Sequence, residues 1–193
     1  DLWNMKQNSQ RWQVFRYKQF AHNTLTVNNE LQKVEGNVAI NAFSKTPLFM
    51  NAVVDMTAVY KASLSKANRG IAIVDEAYVV IRDEIEAGAE ETIIRWTMAT
   101  PASATIIDNH TIELTKNGKK LRLVVQEPGT QVMKTWPTKP EHDYDALNPG
   151  TMLVGFETKI PAGSKTVLTV LLVPGRSINK EKEKIKPLAE WPH

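Results

Sequence analysis

The sequence predicts an all-β fold, an antiparallel two-layer β-sandwich, and three observations carry that expectation. Apolar and polar residues alternate with period two in about ten short runs, enough strands for two packed sheets. The pair Asn117-Gly118 stands between two such runs as a hairpin turn. No sustained apolar stripe appears at helical spacing. With 193 residues, 42% of them hydrophobic, the chain has enough apolar surface for one substantial core.

In chain order, residues 11–17, 24–27, 38–43 and 50–60 are the first strand candidates. Residues 71–74 and 77–81 then form a pair around Asp75-Glu76. Ile73, Tyr78, Val79, Val80 and Ile81 are too continuously apolar for a sheet wetted on one face, so this pair is expected at the centre. Residues 91–98 alternate Thr92, Ile94, Trp96 and Met98 against Glu91, Ile93, Arg95 and Thr97. Pro101 stops that run, because proline brings no N–H to a ladder.

Between residues 111 and 125, Asn117-Gly118 supplies the positive φ values of a type I′ turn, and the turn sets the register. Counting outward pairs Lys116 with Lys119, Thr115 with Lys120, Leu114 with Leu121, Glu113 with Arg122, and Ile112 with Leu123. Apolar meets apolar on one face, which is expected to be core. Residues 152–160 and 166–173 flank the turn-forming Pro161-Ala162-Gly163-Ser164 and read as a further hairpin, closed by Pro174-Gly175.

Two stretches break the rhythm. Residues 128–149 hold Pro128, Pro137, Pro140 and Pro149 together with Trp136, His142 and Tyr144, and read as a long surface loop. The tail, residues 176–193, alternates charge through Lys180-Glu181-Lys182-Glu183-Lys184, read as solvated surface. Its Pro187, Leu188 and Trp191 can dock back onto the body. No repeat and no second domain boundary is visible, so residues 1–193 are read as one domain.

Charge excludes little but is informative: 24 Lys and Arg against 21 Asp and Glu leave a net +3 with both signs interspersed, so no nucleic-acid partner is expected. No apolar stretch approaches the roughly 20 residues of a spanning helix, and no membrane partner is expected. The absence of cysteine rules out disulfides and thiolate metal sites, leaving metals to His and carboxylates. Gly-rich phosphate loops, His-Glu-x-x-His helices, nucleophile elbows and CxxC pairs are all missing, so no cofactor and no metal are expected. The chain opens at Asp1, and its first residues, with Trp3, Arg11, Trp12, Arg16 and Lys18, lack the apolar middle of a secretion signal. A processed or truncated product is therefore expected.

Of the four histidines, His193 is terminal, His142 lies in the Pro-rich stretch, and His110 opens the clear hairpin beside Asn109. His22 stands where a strand begins, a position that suits either an ordinary strand-end histidine or a ring projecting from a sheet rim into a cleft. Tyr60, Arg69 and Trp96 read as packing and snorkelling residues.

The run His22-Asn23-Thr24-Leu25-Thr26-Val27-Asn28, followed by Gln32 and Gly36, resembles the His-Asn-Thr-Leu segment that opens the sheet domain of heparinase II/III-like polysaccharide lyases. Similar segments follow in order: Asp55-Met56-Thr57-Ala58-Val59-Tyr60, Arg69-Gly70-Ile71, Tyr78-Val79-Val80-Ile81-Arg82-Asp83-Glu84 and Arg95-Trp96. Thr115-Lys116-Asn117-Gly118-Lys119 and Ile160-Pro161-Ala162-Gly163-Ser164 extend the likeness over nearly the whole chain. The resemblance implies the C-terminal β-sandwich of a lyase that cleaves uronic-acid-containing, glycosaminoglycan-like polysaccharide by β-elimination in the periplasm or outside the cell. It implies an acidic polysaccharide as substrate and an N-terminal helical toroid as partner domain. That toroid, which carries the catalytic Tyr and Asn of the family, is absent from this chain, so the chain alone is expected to be inactive. By the same match His22 is the implied catalytic residue, with Asn23 beside it for substrate binding. Some relatives hold a structural metal here, but Asn28 and Asn68 stand near the expected ligand positions. Asp55 reads as a strand cap or a partner for Arg69, and no metal is assigned. The alternative is a non-catalytic carbohydrate-binding or structural sandwich, with Trp136 and Tyr144 stacking on sugar rings.

Overall fold

The computed structural model describes residues 1–175 and 183–193. Among these, twelve strands build two antiparallel sheets. The strands are β1 (Leu25–Val27), β2 (Ile40–Ser44), β3 (Phe49–Asp55), β4 (Leu64–Val74), β5 (Tyr78–Ala87), β6 (Thr92–Thr100), β7 (Ser103–Ile106), β8 (Thr111–Lys116), β9 (Lys119–Glu127), β10 (Val132–Pro137), β11 (Met152–Ile160) and β12 (Lys165–Pro174). The small sheet runs β1-β6-β11-β10 and the large one β2-β3-β4-β5-β12-β9-β8-β7, giving the two-layer sandwich the alternation predicts.

The Asn117-Gly118 hairpin has the expected register, from Lys116 opposite Lys119 to Ile112 opposite Leu123. Asn117 and Gly118 take φ values of 50° and 72°, as a type I′ turn demands. Ile112, Leu114, Leu123 and Val125 of this hairpin are buried. The β4–β5 pair lies inside the large sheet, as its apolar run requires, and β6 ends at Thr100 before Pro101.

Four expectations are corrected. Residues 11–17 form no strand: single 3-10 turns occupy Gln10–Gln13, Phe15–Tyr17 and Gln19–Ala21. There Trp12 N donates to Ser9 O, Val14 N to Arg11 O and Tyr17 N to Val14 O, so these groups bond locally instead of to a neighbouring strand. Residues 50–60 are not one strand, because Asp55 Oδ1 accepts from Thr57 N at 2.8 Å and turns the chain into a short helix, α1 (Thr57–Tyr60). The stretch 128–149 is not all loop. Residues 132–137 form β10 at an edge of the small sheet, where a terminal proline removes no needed ladder bond. Finally, β11 and β12 do not pair as a hairpin. Both edges of β11 are taken by β6 and β10, and both edges of β12 by β5 and β9, so Pro161-Ala162-Gly163-Ser164 carries the chain from one sheet to the other. Gly163 N donating to Gly88 O at 2.7 Å and Ala87 N donating to Ser164 O at 3.0 Å tie this crossover down.

The main core fills the space between the sheets. Ile94, Trp96, Val154 and Phe156 of the small sheet meet Ile81, Ile85, Leu123, Leu168 and Val170 of the large one. Trp96 and Phe156 stack with ring centroids 5.9 Å apart. A second core lies on the outer face of the large sheet, where Ile185, Leu188 and Trp191 of the tail cover Ala72, Tyr78, Val80, Leu171 and Val173. Trp191 meets Phe49 edge-on at 5.1 Å, and Leu188 N donates to Glu84 Oε1 at 2.8 Å. Gly70 permits this docking, since a Cβ there would stand 2.4 Å from Leu188 Cδ2. The tail therefore docks as Leu188 and Trp191 suggest, while Arg176 to Lys182, and with them most of the charge run, lie outside the described residues.

The large sheet outruns the small one. Ile40, Phe43, Ile71 and Ile73 share its inner face yet stay exposed, because no strand of the small sheet lies over β2 and the far end of β4. Among the described residues no helix is long and apolar enough to cross a membrane.

Candidate functional site

The pleat of the small sheet decides which side chains reach its outer face. In β11, Val154 and Phe156 point into the core, so Leu153, Gly155 and Glu157 point away from it. Register then sets three cross-strand rows: Arg95, Glu157 and Val132; Thr97, Gly155 and Lys134; Ala99, Leu153 and Trp136. Gly155 puts no side chain in the middle row, and Arg95 reaches across it until its guanidinium carbon is 5.1 Å from the Trp136 ring centroid.

Arg95 also bonds the Glu157 carboxylate at 2.9 Å, and Lys134 Nζ bonds the other oxygen of the same group. Burial pushes the Glu157 carboxyl up, but the hydrogen bonds and charges of Lys134 and Arg95 outweigh it and hold the group below its ordinary value.

The segment before β1 lies against this face. Thr97 Oγ1 donates to His22 O at 3.4 Å, and Ala99 N donates to Asn23 Oδ1 at 2.8 Å, so His22 and Asn23 sit beside β6. The His22 ring is exposed, with Nε2 3.2 Å from Arg16 O. A carbonyl only accepts, so this contact puts the proton on Nε2 and leaves Nδ1 of a neutral ring as the basic nitrogen.

Beyond His22 the same segment grips residues 138–149. Arg16 donates to Asn148 Oδ1 at 2.5 Å and to Leu147 O at 2.7 Å, and Phe15 N donates to Asp145 Oδ2 at 2.6 Å. Lys18 pairs with Glu141 at 3.2 Å. Trp136, half-buried, forms one wall of a groove of about 530 Å³ with Pro137, Pro140, Leu147, Pro149 and Met152. Tyr144 does not line that groove: it is 58% exposed, stacks on His142 at 4.9 Å and donates to Gln13 Oε1 at 3.1 Å. The fold thus brings His22, Asn23 and Trp136 to one side of the small sheet and sets Tyr144 in the 138–149 stretch beside it.

Behind His22 lies a buried polar cluster that the spacing of residues did not disclose. Arg69 donates to both oxygens of Asp83, at 2.6 and 2.9 Å, and its Nη1 donates to Asn23 O at 3.1 Å. Asp83 is fully buried; burial pulls the Arg69 guanidinium down, but the charge of Asp83 and its hydrogen bonds together outweigh that and hold it above its ordinary value. The partner of Arg69 is therefore Asp83 and not Asp55, whose carboxylate accepts from Thr57 N instead. Tyr60 OH donates to Leu25 O at 2.8 Å and accepts from Gln32 Nε2 at 2.7 Å, with the Thr24 hydroxyl 3.1 Å away. Burial pushes this phenol up despite those bonds.

Asn28 spends its side chain on Ser63 and on Ile93 N, and among the described residues no three His, Cys, Asp or Glu side chains converge to hold a metal. The outward period-two positions of β6, β10 and β11 were the signal for Arg95, Lys134 and Glu157, but it becomes legible only once β10 is known to be a strand.

Fold and site together define a two-layer β-sandwich module with a histidine and an aromatic groove on one outer face. The family described as heparinase II/III-like, C-terminal, matches residues 4–184, and the chain belongs to that family. Among solved structures, the fold is similar to a heparinase III, the lysine-methylated BT4657 gene product, with a TM-score of 0.67 at 20% identity over 84% of this chain and 25% of that one. It is also similar to the heparan sulfate lyase HepC from Pedobacter heparinus, with a TM-score of 0.64 at 14% identity over 80% of this chain and 24% of that one. A further heparinase III gives a TM-score of 0.63 at 15% identity over 79% of this chain and 23% of that one. Identities this low show the shared fold. The chain spans about a quarter of the length of these structures. No curated protein matches it.

Proposed function

We propose that this chain is the C-terminal sheet module of a polysaccharide lyase acting on a uronic-acid-containing, glycosaminoglycan-like chain in the periplasm or outside the cell, with a helical toroid forming the opposite wall of the cleft. In β-elimination a base removes the proton on C5, the C4–O bond breaks, C4=C5 forms, and an acid protonates the departing oxygen. His22 is the proton-transfer group this module contributes. Its Nδ1 lone pair can take up the proton, and the reverse transfer serves the leaving oxygen. Asn23, Trp136 and Tyr144 contact the substrate: the amide beside the reacting sugar, the two rings by stacking.

One observation carries the reading: the His22 ring is exposed while its own carbonyl is held by β6 and the adjoining Asn23 is held by β6 and Arg69. Membership of the family supports it. The full-length protein, given heparan sulfate, alginate or related uronates, is expected to release an unsaturated product that absorbs in the ultraviolet. His22→Ala should abolish that rise, and unchanged turnover would remove His22 from the mechanism. The chain by itself is expected to be inactive.

The groove beside Trp136 favours a second reading, a non-catalytic carbohydrate-binding module. Its mark would be saturable glycan binding by a catalytically silent full-length protein, weakened by Trp136→Ala.

A further inference from the structure

The segments that make this sequence similar to its family are far apart in the chain, yet Asn23, Tyr60, Arg69 and Asp83 meet behind His22. Asn23 is the hub. Its carbonyl accepts from Arg69 Nη1 at 3.1 Å, and its side-chain oxygen accepts from Ala99 N at 2.8 Å. Two nitrogens of the Arg69 guanidinium are committed to Asp83, at 2.6 and 2.9 Å. In a planar fork held at two points the third nitrogen has a fixed direction, so Nη1 is a rigid donor aimed at Asn23 O.

Stability alone does not call for this arrangement. A buried ion pair recovers little more than its own desolvation, and apolar side chains of like volume serve a core at least as well. Directly beside Arg69 and Asp83, the same face carries Ala67 opposite Ile85 and Ile71 opposite Ile81. What the pair adds is a donor pointed at the residue that follows His22.

We propose that Arg69, locked by Asp83, is a positioning residue: it fixes the Asn23 backbone and thereby the direction in which the His22 ring meets substrate. The inference rests on the reading of His22 as the proton-transfer group. A ring displaced by about 1 Å loses rate on the order of 100-fold while the substrate still binds.

Arg69→Lys in the full-length protein is the test, because a lysine keeps the positive charge beside Asp83 and cannot also hold Asn23 O with a planar fork. On heparan sulfate, kcat is expected to fall about 10- to 100-fold, with KM changed by less than about twofold. The pH profile of kcat should shift with it. The double variant Arg69→Met, Asp83→Leu replaces the pair with apolar side chains, is expected to fold, and should show the same loss; it decides the matter if Arg69→Lys does not fold. Wild-type kcat in either folded variant overturns the proposal, as does a loss that only tracks the unfolded fraction. His22→Ala is measured alongside. If it is inactive while the Arg69 variants run at full rate, positioning fails and the reading of His22 stands; if it is fully active, the reading of His22 itself fails.

Discussion

One end of the chain covers the outer face of the large sheet and the other lies beside the small sheet, and the two hold on by different physics. On the large sheet the tail contributes Ile185, Leu188 and Trp191, all buried, against apolar residues of β4, β5 and β12. On the small sheet the segment of residues 10–22 has no buried residue before Gln19, and it holds through Arg16, Phe15 N and Lys18 to residues 141–148. An apolar side chain taken out of water contributes about 1.5–3 kcal/mol, whereas a hydrogen bond exchanged for one with water nets about 0.5–1.5 kcal/mol. The tail is therefore a stabilising strap. The N-terminal segment aims groups without adding much stability, and the proposed site lies on its side.

The strongest way to break that contrast is Trp191→Ala. It should cost about 3–5 kcal/mol in denaturant unfolding, by leaving a cavity under the tail, with no direct effect at the small-sheet face. An unchanged midpoint would show that the tail adds nothing. Arg16→Ala should do the opposite. It removes the bonds to Asn148 and Leu147 at an exposed position, so global stability should change by about 1 kcal/mol or less, while protease cleavage within residues 138–149 accelerates. A large loss of stability there would place the N-terminal segment with the tail.

The smallest effect is a pH dependence on the small-sheet face. The folded-state value of the Glu157 carboxyl lies below its ordinary 4.5, so its contribution is present above that value and is lost as pH falls through the lowered one. Glu157→Gln should flatten the acid limb of the stability profile, read by thermal melts across that range. An identical limb would mean that the Arg95 and Lys134 contacts carry no stability.

Local chemistry made some of this legible in sequence. The Asn117-Gly118 turn and the strict alternation around it left one register, and that register is the one found. The turn at residues 161–164 was equally visible, but turn residues signal only that a chain reverses; which sheet it enters depends on edges filled by distant strands. Prolines hid β10, because a strand at a sheet edge tolerates what a central strand does not. Alternation misled in residues 11–17, where local 3-10 bonds satisfied the backbone. At the site, His22 came from its motif, whereas Tyr60 and Arg69 passed as packing residues: their partners, Leu25 O, Asn23 O and Asp83, lie at least 14 residues away in the chain and leave no mark in local spacing.

The unequal widths of the two layers have a practical consequence for anyone handling the domain alone. Ile40, Phe43, Ile71 and Ile73 form an oily ledge open to water. A net charge of only +3 offers weak repulsion between molecules, so the solubility ceiling of the free module would be set at that ledge.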